Sequence, residues 1–294
     1  MEGGATVNFL KALLFSLIVA AAGVLPVSGN GHAAVLCSLF ELTPATFLFL
    51  SSAVCLGAAV AVFALHVRTF YAVSREGSIA LRARFGKDRF TVPESNARAR
   101  RQLRFLLIGL VPCVIWFIPL GKAGLYTLSR QWTSDGKLLA EGLLLLFGGL
   151  AMLLVRRFLR RRSQKANGVI VAAVTSACLL VGSAFPGLSS TGLTITAGRA
   201  VGAQPHEAFR GALLISFPFL FLSGIADAAK ALASDAVFSA WLYLLAFVVA
   251  AVVTVFAIGL TDTLIKKNKL RPVLYYVCGL GVIITVAGIV QACR

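Results

Sequence analysis

Leu25-Pro26-Val27-Ser28-Gly29-Asn30-Gly31-His32 interrupts an apolar stretch that begins near residue 7. Pro186-Gly187-Leu188-Ser189-Ser190-Thr191-Gly192 interrupts a second one that begins near residue 169. In both places the apolar run resumes only briefly after the break. A broken helix is tolerated at membrane depth only where protein or a water-filled cavity satisfies the freed backbone. The two stretches therefore read as re-entrant helix hairpins, with turns at 26–32 and 186–192.

The rest of the chain supplies the membrane. Of its 294 residues 59% are hydrophobic and 13% charged, where a soluble domain carries about a quarter charged. Apolar runs at 45–66, 105–120, 138–155, 212–229, 238–260 and 273–292 approach the roughly 20 residues a transmembrane helix needs. The expected fold is thus an all-α polytopic membrane protein, a single domain over 1–294, with about six full spans and two hairpins.

The net charge of +17 does not point to nucleic acid. Most of it sits at 68–104, 156–165 and 266–271, directly beside apolar runs, as the positive-inside rule describes for cytoplasmic flanks. Counting crossings between these flanks puts all three on one side, and the two hairpins then enter from opposite faces. That is an inverted-topology repeat, with halves near 1–120 and 169–294 and a binding site where the broken helices meet. The expected location is a cytoplasmic membrane of the inner-membrane type. The basic loop 68–104, with Glu76, Asp88 and Glu94, fits a plain flank or a seat on anionic headgroups. Cys37, Cys55, Cys113, Cys178, Cys278 and Cys293 lack clustered spacing, so they read as packing residues and no metal site is assigned.

Half-helix N-termini present unpaired N–H groups and the positive end of the helix dipole, which suits phosphate. Gly29, Asn30, Gly31, Gly187, Ser190, Thr191, Gly192 and Thr194 are the candidate phosphate-binding residues. Ser28 and Ser189 are candidate nucleophiles, and His32, the titratable group of the first loop, is the candidate proton carrier. The bland alternative is that these hydroxyls only bond neighbouring carbonyls, as Ser and Thr often do in membrane helices. Arg199, in the second half-helix, reads as a functional charge or one that snorkels to the cytoplasmic face.

On these loops the sequence resembles the bacterial undecaprenyl-diphosphate phosphatases, the bacitracin-resistance family. Leu25, Pro26, Val27, Ser28, Gly31 and His32 match the first family motif. Pro186, Gly187, Ser189, Gly192 and Thr194 match the second, and Ile195, Gly198 and Gly202 continue it. The resemblance implies interleaved inverted repeats, a polyprenyl diphosphate substrate, loss of one phosphate from it, and help from Mg²⁺ or Ca²⁺; a homodimer is a further expectation. An alternative within the same resemblance is a non-catalytic homologue that binds or flips polyprenyl phosphate. The motif's two acidic positions are Val19 and Gly23 here, its second Ser is Gly29, and its Arg is Ser190, followed by Thr191. No Asp or Glu lies between Glu2 and Glu41, which leaves Glu141 and Asp227 as carboxylates that tertiary structure could bring in.

Overall fold

In the computed structural model, residues 7–85, 96–120, 123–158, 167–234, 236 and 238–293 are described. Asp88, Glu94 and the basic residues of 86–95 and 159–165 lie outside them. The elements are helical except for one two-residue antiparallel ladder: α1 (Phe9–Val24), α2 (Gly29–Phe40), α3 (Pro44–Phe85), α4 (Ala97–Phe117), β1 (Pro119–Leu120), β2 (Ala123–Gly124), α5 (Leu125–Ser134), α6 (Leu138–Phe158), α7 (Gly168–Ala184), α8 (Ser190–Ala200), α9 (Pro205–Leu232), α10 (Ala240–Lys266) and α11 (Arg271–Ala292). Among the described residues five helices are long and apolar enough to cross a membrane: Pro44–Phe85, Leu138–Arg157, Pro205–Leu232, Ala240–Lys266 and Arg271–Ala292. The chain is a multi-pass membrane protein. The apolar run at 105–120 falls in α4, whose first turns carry Arg98, Arg100, Arg101 and Arg104.

The two interrupted stretches form two hairpins, α1–α2 and α7–α8. Their packing is reciprocal: α1 lies on α10 while α7 lies on α4, and α3 packs on both α9 and α10. At 42 residues α3 is about 63 Å long, twice the hydrocarbon thickness. It kinks at His66 (φ −117°, ψ 16°), where the apolar run ends, and continues into its basic half. There Glu76 accepts a hydrogen bond from the Asn96 N–H at 2.6 Å, and Asn96 caps α4.

The basic flanks gather at one end of the bundle. Arg98, Arg101, Arg104 and Arg210 share a 560 Å³ groove with Asn167 and Gly168 at the start of α7. Arg156, Arg157, Arg199 and Arg271 share an 840 Å³ groove where α6 and α8 end and α11 begins. Hairpin α7–α8 therefore opens at the basic end. Hairpin α1–α2 leads directly into the start of α3, one long helix away from that end, and so opens at the other.

Glycines let α6 and α11 touch backbone to backbone. A Cβ on Gly142 would stand 2.3 Å from the Thr285 nitrogen, and one on Gly281 would stand 2.6 Å from the Leu146 nitrogen. Close approach of this kind drives helix association in a bilayer, where the lipid removes most of the hydrophobic force. Gly142→Ala is expected to cost about 1–3 kcal/mol by overpacking, read as a lower unfolding midpoint in detergent. Gly279→Ala, on the same helix pair with open space around it, is expected to be neutral or to gain up to about 1 kcal/mol of helix propensity.

Candidate functional site

Both broken helices start on a serine cap. Ser28 caps α2 by accepting from the Gly31 N–H at 3.1 Å, and Ser189 caps α8 by accepting from the Gly192 N–H at 3.0 Å. A helix leaves its first N–H groups unpaired, and a Ser cap satisfies one of them. Ser28 takes φ 115°, a conformation that strains an L-residue. In that conformation its hydroxyl faces the second loop, within hydrogen-bond reach of the Pro186 carbonyl and 3.1 Å from the Leu188 carbonyl. The two loops are tied together directly, with Ser28 2% exposed.

Beside this tie lies a 130 Å³ cavity. Gly29 and Asn30 from the start of α2 line it, as do Ser189, Ser190 and Thr191 from the start of α8. Two helix N-termini thus meet at one cavity, the arrangement that favours an anion. Val19, Gly23 and Ser190, which the resemblance sets at the positions of the motif's charged residues, also line it. The Ser190 Oγ is 3.3 Å from the Ser183 Oγ, and Thr191 donates to the Gly23 carbonyl at 2.7 Å. Ser189 differs: its oxygen accepts from Gly192, while its O–H donates to no described residue.

Other predicted residues are placed elsewhere. Gly31 and Gly187 form the packed floor, where a Cβ would meet Pro186 O at 3.2 Å and Leu144 Cβ at 2.4 Å respectively. Gly192 lines a separate 30 Å³ cleft with Pro26, Met152, Arg156 and Arg199. Thr194 donates back to the Ser190 carbonyl at 2.7 Å. His32 is not among the lining residues of the 130 Å³ cavity. Its Nδ1 is 2.7 Å from the Ser28 carbonyl and its Nε2 3.0 Å from the Tyr276 hydroxyl on α11. A carbonyl only accepts, so Nδ1 carries the hydrogen, and Nε2 of the neutral ring accepts a hydrogen bond from the Tyr276 O–H.

Sequence reasoning missed the most strongly charged group on the cavity wall. Arg130, on α5, lines the cavity and forms a two-pronged pair with Asp227 on α9, Nε to Oδ1 at 3.0 Å and Nη2 to Oδ2 at 2.8 Å. Asp227 also accepts from Tyr126 at 2.6 Å and Ser51 at 2.9 Å. Burial is the largest single influence and works against the charge on Arg130, but the Asp227 carboxylate with its hydrogen bond, Cys55 and Tyr126 together raise the pKa. Burial, then the same carboxylate, pushes the Tyr126 phenol up, so it stays a donor. Ser129 pins α5 beside the loops through the Ser183 carbonyl at 2.7 Å, which Asn30 also approaches at 3.4 Å.

A hard divalent cation prefers carboxylate, carbonyl and water oxygens. The cavity wall offers hydroxyls, one amide and a guanidinium, and no Asp or Glu. No cluster of three or more His, Cys, Asp or Glu forms among the described residues. Asp227 is spent on its four contacts. Glu141 is fully buried beside the second loop, its backbone oxygen 2.7 Å from where a Gly187 Cβ would stand, yet its carboxyl has no hydrogen-bond partner among the described residues and does not line the cavity. This donor set does not fit the divalent cation that the resemblance implies.

Ser28→Ala removes the cap and the loop tie together. It is expected to destabilise the protein by about 1–3 kcal/mol, the cost of leaving buried polar groups unpaired, seen as a lower unfolding midpoint. Ser189→Ala keeps the loop tie and is expected to lower it less.

A family model described as "Bacitracin resistance protein BacA" matches residues 12–283. The undecaprenyl-diphosphatase of Bifidobacterium animalis subsp. lactis is 26% identical over 258 residues, 86% of this chain and 82% of that protein. The undecaprenyl-diphosphatase of Jannaschia sp. is 26% identical over 283 residues, 95% of this chain and 98% of that one. That of Trichlorobacter lovleyi is 27% identical over 217 residues, 73% and 72% of the two chains.

Proposed function

The chain belongs to the bacitracin resistance protein BacA family, and from that premise we propose that it removes the terminal phosphate of a polyprenyl diphosphate. The observation that carries this reading is the cavity on which the starts of α2 and α8 meet, lined by the positions of the family's charged motif residues, Val19, Gly23 and Ser190. The diphosphate enters that cavity and the isoprenoid tail stays in lipid. The two halves act as an inverted repeat, supported by hairpins that open at opposite ends and by the reciprocal packing of α1 on α10 and α7 on α4. The basic end faces the cytoplasm of a bacterial inner membrane.

Phosphoryl transfer asks mainly for positioning and for stabilisation of charge on the transferred group. The N–H groups of Gly29, Asn30, Ser190 and Thr191, with the hydroxyl of Ser190, hold the terminal phosphate, while those of Gly31 and Gly192 stay on the serine caps. Ser189 is the nucleophile, because its O–H is uncommitted while that of Ser28 is engaged in the loop tie. The Ser189 oxygen bonds to the terminal phosphorus as the bond to the bridging oxygen breaks, and polyprenyl phosphate leaves. The hydroxyl proton passes to a phosphate oxygen, and water then cleaves the phosphoserine to release phosphate. His32 acts as a positioning residue, holding the Ser28 carbonyl on one side and Tyr276 on the other.

The decisive measurement is phosphate release from undecaprenyl diphosphate by the purified chain in detergent. Ser189→Ala is expected to cut the rate by more than about 100-fold, the scale of losing one aligned group at such a site. His32→Ala is expected to reduce it less and to lower stability as well. Retained lipid binding with no release from the wild-type chain would assign the site to binding or flipping of polyprenyl phosphate instead.

A further inference from the structure

The family resemblance implies a divalent cation, and the cavity that would receive the diphosphate is built for a different positive charge. Val19 and Gly23, which the resemblance sets at the motif's acidic positions, carry no side-chain oxygen, while Arg130 reaches the wall from α5. Asp227 accepts from both prongs of Arg130, from Tyr126 and from Ser51, so its oxygens are committed to holding the guanidinium. Phe47 and Tyr126 flank the guanidinium carbon at 5.9 and 5.7 Å from their ring centres, which fixes its plane further. Two hydroxyls on the same cavity, Ser223 (1% exposed) and Thr254 (0% exposed), have no hydrogen-bond partner among the described residues. Buried polar groups left unpaired in a native protein point to a missing partner such as water or ligand.

Resting on the phosphatase reading above, we propose that Arg130, clamped by Asp227, is the resident cation of this site and replaces both the divalent metal and the motif Arg that Ser190 has displaced. With Nε and Nη2 held by Asp227, the guanidinium keeps its Nη1 N–H donors for a phosphate oxygen and stays charged at all working pH values. Its place on a short helix pinned by Ser129 to the Ser183 carbonyl keeps it aligned with the two loops. Diphosphate binding and release of its terminal phosphate then proceed without added metal.

The test measures two quantities on the full chain in nanodiscs. One is phosphate release from undecaprenyl diphosphate; the other is binding of the same lipid, followed by Trp fluorescence, since Trp116 lines the cavity. Both are run with EDTA, with Mg²⁺ and with Ca²⁺. Wild type is expected to bind and turn over in EDTA within about twofold of its values in Mg²⁺, where a metal-dependent site would lose about 100-fold or more. Arg130→Gln alone leaves Asp227 unpaired and buried, which destabilises strongly. The informative variants are therefore Arg130→Lys and the neutral pair Arg130→Gln with Asp227→Asn. Arg130→Lys is expected to keep metal-independent turnover with a raised KM, because it keeps the charge and loses the planar fork. The neutral pair, folded as judged by its unfolding midpoint, is expected to lose binding and release by about 100-fold. A strict metal requirement in wild type, or a folded neutral pair that works as wild type does, overturns the assignment. Binding that is metal-independent and Arg130-dependent, without release, supports the cation assignment while sinking the phosphatase reading. Neither binding nor release under any condition sinks both.

Discussion

A helix broken inside a membrane strands backbone groups that neither lipid nor water can satisfy. Here the two breaks satisfy one another. The Ser28 hydroxyl closes the first turn of α2 and faces the Pro186 and Leu188 carbonyls of the other loop. Thr191 returns a bond from the second loop to the Gly23 carbonyl at the end of α1. Neither hairpin is complete alone, because each supplies the polar partners the other lacks. The strained backbone of Ser28 fits that account: the conformation is kept where the surrounding bonds over-determine it.

The same tie sets the electrostatics. Once the loops are held face to face, the N-terminal ends of α2 and α8 lie on one cavity, and their partial positive charges add. The long helices build the frame around this centre. Contacts between α6 and α11 are so close that Gly142 and Gly281 leave no space for a side chain, and α6 passes both loops. Leu145 lies 3.3 Å from the Cβ position of Gly31, and the Met152 sulfur 2.3 Å from that of Gly192. The position of α6 is therefore coupled to both helix starts.

Much of this was legible in sequence, for a physical reason. Pro, Gly and Ser in the middle of apolar runs violate local helix preference, and such conflicts concentrate at functional loops. The two hairpins, the long spans and the basic end follow from those conflicts and from charge placement. What stayed hidden depends on tertiary phase. His32 and Asn30 are two residues apart, so a helix turns them to different faces. Only the packing of α2 decides that Asn30 meets the cavity and His32 meets Tyr276. The segment 125–134 is too short and too polar to read as a span. Arg130 and Asp227 are 97 residues apart, and no local spacing relates them. Asp227 sits inside an apolar helix, where an ionisable group needs a partner, and that was the one signal available.

The charge ledger of the cavity makes these hidden residues consequential. Two carboxylates beside a phosphate site are tolerable only with a cation between them, since their repulsion of the phosphate is strong in a poorly solvated space. With Val19 and Gly23 where the resemblance sets those carboxylates, the need for that cation goes together with the means of holding it. A chain that also lacks the motif Arg at Ser190 would then meet a diphosphate with helix dipoles alone. Those partial charges are worth about a kcal/mol each at favourable sites, little against the several negative charges of the headgroup. Further positive charge must come from elsewhere in the fold, and within this cavity the residue that brings it is Arg130, whose charge is shared with the Asp227 carboxylate beside it. Because Asp227 on α9 holds it in place, the charge enters the site already oriented, without a loop having to close over it.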